Sequence, residues 1–210
     1  STTSPDGTLN ADKLVEDTST GVHQLSKTMT TISATDYAYS IFVKAGERSF
    51  LRLSRAGGST AVAFDLINKT VTNGGSGTGI ITELTNGWFK CSFMFPTVGT
   101  STDIRVELQI VLSASSSPYT GDGVSGVYIW GAMLEQLSYA TSYIPTNGST
   151  QTRAAETCNG AGTSSILPSE EGILYIETSY LTQTSPTIKE ISINDGTTAN
   201  RVALRLNTTT

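Results

Sequence analysis

Residues 103–113 (DIRVELQIVLS) decide the fold class. Ile104, Val106, Leu108, Ile110 and Leu112 alternate with Asp103, Arg105, Glu107 and Gln109. A period of two places the two sets on opposite sides of an extended chain, so the segment reads as a strand with one buried and one solvated face. The same period recurs upstream. In 37–44 (YAYSIFVK), Tyr39, Ile41 and Val43 oppose Ser40 and Lys44. In 49–55, Leu51 and Leu53 point inward against Arg52 and Ser54, and in 61–67 Val62, Phe64 and Leu66 share a face. In 88–95 (WFKCSFMF), Phe89, Cys91, Phe93 and Phe95 share a face, which points Cys91 into the core. Residues 126–136 read as the last strand of the same sandwich. There Val127, Ile129 and Met133 share one face and Tyr128 and Trp130 the other.

Turn chemistry separates these runs. Ala45-Gly46-Glu47-Arg48 joins two antiparallel strands, Asn68-Lys69 links the Phe64 strand to Thr70-Val71, and Asn86-Gly87 is a tight turn before Trp88. Residues 73–79 (NGGSGTG) read as a flexible surface loop. Short, evenly spaced strands without helical periods predict an all-β fold: an antiparallel β-sandwich, of jelly-roll form for a domain of this size.

The chain has 210 residues, enough for one domain and part of a second. Only 15% are charged, Gly numbers 20, and Ser and Thr are abundant, a composition that favours strands and turns over helices. The net charge of −5 argues against a nucleic-acid partner, because phosphate binding needs a basic surface. No apolar run approaches the ~18 residues of a membrane span, so no membrane insertion is expected. The chain opens at Ser1 without a Met, which reads as a processed chain or a piece of a longer one.

Past the last strand, residues 139–145 (YATSYIP) are expected to fold back on the domain as an aromatic clasp. The organisation is therefore residues 1–146 as the sandwich, 147–171 as a linker, and 172–210 as the start of a second β-domain. Segments 172–180, 189–194 and 201–207 read as its strands, with Asp195-Gly196 turning between the last two. About forty residues cannot close a sandwich alone. Either the chain continues past Thr210, the favoured expectation, or these strands pack on a partner. Of the two cysteines, Cys158 lies in the linker, so a bond to Cys91 would cross a domain boundary. Two free thiols are expected.

Several pieces, in this order, resemble the jelly rolls of carbohydrate-binding-module type (families 4, 9 and 22) found in bacteriophage virion proteins. Residues 4–14 (SPDGTLNADKL) resemble that family's opening strand, 39–46 (YSIFVKAG) its central strand, and 64–71 (FDLINKTV) its hairpin. Residues 86–91 (NGWFKC) resemble its recurrent Asn-Gly-Trp strand start. Residues 128–135 (YIWGAMLE), 139–146 (YATSYIPT) and 152–155 (TRAA) resemble the exit seen in phage tail and head appendages, often followed by a laminin-G or concanavalin-like domain. The resemblance covers most of 4–155. It implies a virion surface protein, such as a tail fibre, spike or capsid fibre, that contacts other virion proteins. It also implies modules of glycan-binding type for attachment to host surface glycans or for decorating the particle. A homotrimer is the expectation for a fibre.

Sugar binding needs an exposed aromatic face beside polar groups. Trp130 and Tyr128 form such a platform if the aliphatic face of their strand is the core. If the sheet is reversed, or the 139–145 clasp covers them, they are structural. Trp88 at a rim and Tyr119 in the loop 115–122 are the further candidates. The family's jelly rolls often hold a structural calcium where the first and last strands meet. Asp6, Asp12 and Glu135 are the candidate ligands here, the alternative being surface carboxylates.

Catalysis has little support. The single histidine, His23, reads as a strand-edge or half-buried residue, and no nucleophile elbow accompanies it. Glu16-Asp17 and Glu170-Glu171 are adjacent pairs that face opposite ways on a strand and read as solvated charges, unlike a glycosidase pair. One His and two distant Cys do not make a zinc site. The expectation is a non-enzymatic virion appendage protein. Two alternatives stay open: a structural connector without sugar binding, and a glycan-binding module of a secreted enzyme.

Overall fold

The computed structural model describes residues 1–30, 35–55, 60–96, 103–115, 118–146 and 148–153, and the backbone of 189–194 and 201–206. Its strands are β1 (Asp12–Val15), β2 (Thr20–Gly21), β3 (His23–Thr30), β4 (Asp36–Ala45), β5 (Phe50–Arg55), β6 (Ala61–Asp65), β7 (Thr70–Gly74), β8 (Thr78–Glu83), β9 (Trp88–Pro96), β10 (Asp103–Val111), β11 (Tyr119–Thr120), β12 (Gly126–Glu135), β13 (Lys189–Asn194) and β14 (Arg201–Leu206). A first sheet runs β1-β12-β4-β9-β8 and a second runs β3-β10-β5-β6-β7. Every described pairing in them is antiparallel. The chain steps between sheets from β3 to β4 to β5 and from β9 to β10 to β12, the winding of a jelly-roll sandwich.

The inner faces follow the period-two reading. Tyr37, Tyr39, Ile41 and Val43 of β4 and Phe89, Cys91, Phe93 and Phe95 of β9 meet Leu51, Leu53, Val62, Phe64, Ile104, Val106, Leu108 and Ile110 from the second sheet. Each such side chain taken fully from water contributes about 1.5–3 kcal/mol. Cys91 is a free thiol with no exposure, and burial pushes its pKa up.

Three local readings are corrected. Leu112 lies just past the end of β10 and is 44% exposed, because alternation continued by one residue after pairing had stopped. Met133 is not on the core face. A register shift between Trp130 and Met133, centred on Gly131 at φ +61°, exchanges the faces, so Leu134 packs on the core and Met133 stands opposite Ser40. Residues 73–79 are no flexible loop: β7 and β8 take both ends, and an added Cβ on Gly79 would stand 2.2 Å from Val62 Cγ1.

The chain divides into two compact units, Ser1–Ala154 and Ala155–Thr210. The first extends past residue 146 because Arg153 reaches back to Ser142 and Thr141. In the second, β13 and β14 form an antiparallel pair with Lys189 opposite Leu206 and Asn194 opposite Arg201. The expected strand 172–180, most of the linker, Cys158, Glu170-Glu171 and the Asp195-Gly196 turn lie outside the described residues.

Candidate functional site

The outer face of the first sheet carries the aromatic candidates. Phe42 on β4 stands opposite Trp130 on β12 and Lys90 on β9, and Lys44 stands opposite Tyr128 and Trp88. Val127 and Ile129 belong to the core side, so Tyr128 and Trp130 face outward. Both are half-buried. Tyr143 of the exit segment packs on Trp130 with ring centroids 4.5 Å apart, and meets Phe42 edge-on at 6.3 Å and 90°. Phe42 itself meets Trp130 at 5.2 Å and 62°. These rings, with Ala11, Trp88, Leu84 and Tyr128, form a second apolar cluster on the outside of the sandwich.

Polar bonds pin the exit segment over that cluster. The backbone N–H and the hydroxyl of Thr141 donate to Glu135, and Lys90 Nζ donates to the Thr141 carbonyl. Arg153 donates to Thr141 Oγ1 at 2.7 Å and to Ser142 Oγ at 3.1 Å. Burial pulls the Lys90 ammonium below the usual lysine range, while the Glu135 charge pulls it back up. The N-terminal segment crosses the same face, through an antiparallel bridge between Thr2 and Ala11 and a 3.0 Å bond from Trp88 Nε1 to the Thr3 carbonyl. Both ends of the first unit thus strap one sheet.

Placement of the expected ligand residues follows. Trp88 is 1% exposed and sits beneath the N-terminal strap, not at a rim. Tyr119 is 9% exposed, its hydroxyl donating to Glu16 Oε2 at 2.6 Å, so its loop position does not free its ring. Trp130 and Tyr128 are half-buried. Tyr128 is the more open to polar company: Lys13 Nζ lies 6.0 Å from its ring centroid and 2.6 Å from Glu47.

The candidate calcium ligands are not brought together. Among the described residues no three His, Cys, Asp or Glu side chains are grouped to hold a metal ion. Asp6 closes a turn, accepting Ser4 Oγ, the Thr8 N–H and Thr8 Oγ1, and those bonds lower its pKa. Glu135 holds Thr141, and Asp12 is an exposed residue of β1 paired with Ile129.

Two polar clusters escaped the sequence reading. Glu16 is not a solvated charge: its side chain is fully buried. Arg48 donates to it through Nε at 2.8 Å and Nη2 at 2.5 Å, joined by Tyr119 and by the Asp122 N–H at 3.0 Å. Arg48 holds the carboxyl below its ordinary range against the opposing pull of burial. His23 packs beside this cluster, 6% exposed and thus fully rather than half buried. Nδ1 lies 3.3 Å from Asp17, Nε2 lies 3.2 Å from the Tyr119 carbonyl, and the ring rests on Tyr119.

On the outer face of the second sheet, Glu107 accepts Ser54 Oγ at 2.8 Å, Gln109 Nε2 at 3.0 Å and Arg105 Nη2 at 2.7 Å. Alternation placed Glu107 and Gln109 outward correctly. It carried no sign that their neighbours would leave them 6% and 9% exposed. Every acidic group in these clusters is engaged by a donor of the same domain, an arrangement suited to holding segments together. No family model matches the chain, and no curated protein matches it.

Proposed function

We propose that the chain is a non-catalytic module of a bacteriophage virion appendage, serving as a rigid connector between other virion proteins. The virion assignment draws on the ordered resemblance of residues 4–155. The connector role draws on one observation above all: Tyr143 packs against Trp130, with ring centroids 4.5 Å apart and planes tilted by 49°, and so competes with a sugar ring for that side chain. A module whose first and last segments are both bonded across the same sheet has both segments held by its own fold, which suits a spacer. The locked carboxylates of Glu16 and Glu107, and the engaged ring of His23, suit scaffolding better than proton transfer.

Attachment to host surface glycans is the second reading, supported by Tyr128, half-buried and flanked by Lys13 and Glu47. Weak contacts of that kind gain strength by repetition on a particle. The two readings separate in one experiment. Labelled protein, oligomerised to restore avidity, is titrated against bacterial surface polysaccharides and whole cells, beside Tyr128→Ala and Trp130→Ala. The connector gives no saturable binding that either substitution removes. Saturable binding lost in a folded Tyr128→Ala variant overturns it in favour of attachment.

A further inference from the structure

β3 is a terminal strand of the second sheet, so one side of its eight residues has no strand beside it among the described residues. After His23 every residue of it is exposed. Leu25, Lys27 and Met29 stand opposite Leu108, Val106 and Ile104 of β10, all core residues, so the three point to the inner face. Among the described residues nothing covers that face fully: Leu25 is 51% and Met29 36% exposed. β1, at the corresponding edge of the first sheet, is only four residues long. An open edge beside exposed apolar side chains is the geometry that accepts an added strand.

Lys27 sets which strand. Among the described residues it makes no ion pair. Consider an antiparallel second copy of β3. The register that sets Leu25 against Met29 on both sides sets Lys27 directly against its counterpart, and like charges directly opposite destabilise a pair. Sliding to set Leu25 against Leu25 brings Lys27 opposite His23 and Met29 opposite Gly21, which loses the second apolar match. The one register that pairs both apolar residues is the one that sets the two lysines directly opposite, where their like charges disfavour it.

We propose that β3 is a charge-coded docking edge. It accepts an extended segment of a neighbouring protein whose inner-facing residues run apolar, acidic, apolar, and it refuses a second copy of itself. The acidic residue lies opposite Lys27 and the apolar ones opposite Leu25 and Met29.

A K27E variant of the full chain supplies a probe with that pattern. Wild type and K27E are studied alone and mixed, by hydrogen exchange of the β3 amides and by sedimentation. The expected result is slowed β3 exchange and a new 1:1 species in the mixture only. The effect weakens at high salt and is abolished by Leu25→Ser in the wild-type partner. An unchanged β3 exchange in the mixture overturns the proposal, as does equal protection in wild type alone. Should K27E fail to fold by circular dichroism, a synthetic β3 peptide with glutamate at the Lys27 position replaces it, read by the same exchange.

Discussion

The carboxylate of Glu16 is out of reach of water and accepts bonds from Arg48, Tyr119 and the Asp122 backbone. Removing one partner of a buried pair leaves an uncompensated charge, so Arg48→Met is expected to cost about 3–5 kcal/mol in urea unfolding. Adding Glu16→Gln to it restores part of that loss. The pH dependence follows from the lowered folded pKa of Glu16. Its contribution is fully present above the unfolded carboxylate value and is lost as pH falls through the lower folded value, so Glu16→Gln flattens the acid limb of the stability curve. Nothing local marks Glu16. Its partners lie 32, 103 and 106 positions away, and beside Asp17 it looks like half of a solvated pair.

At the scale of elements, β4, β5, β6, β9 and β10 were legible because each is a central strand whose large apolar side chains alternate toward the core. β3 was not, because an edge strand buries too little to impose a pattern: His23 is buried and the rest exposed. β12 was half legible. Alternation holds to Trp130, then Gly131 inserts a bulge that no periodicity encodes, and Leu134 replaces Met133 in the core. The bulge is also what seats the strap, since an added Cβ on Gly131 would stand 3.0 Å from Phe42 and 3.3 Å from Tyr143. Gly131→Ala meets both a left-handed backbone and that crowding. A loss of about 1–2 kcal/mol is expected from the backbone alone, with a red-shifted tryptophan emission as Tyr143 lifts from Trp130. Unchanged stability and emission would contradict the seating.

For the whole molecule, the fold class was readable from turns and periods, whereas the first compact unit runs to Ala154, past the expected limit at 146. The expected fold-back of 139–145 corresponds to Tyr143 packing on Trp130. The sequence left open whether Tyr128 and Trp130 form a platform or lie under that clasp, because the answer depends on where one tyrosine, Tyr143, lands. The structure lands it on Trp130, while Tyr139 of the same segment stays 59% exposed. The exit segment therefore covers part of the sandwich's own aromatic face, at Trp130 and Phe42, and the connector reading rests on that cover. The direct test is a nuclear Overhauser measurement between the Trp130 indole and the Tyr143 ring in solution. Strong cross-peaks, with Tyr143 shifts displaced by the neighbouring rings, are the predicted result. Random-coil shifts and no cross-peak would contradict the account, leaving Trp130 open as a binding platform.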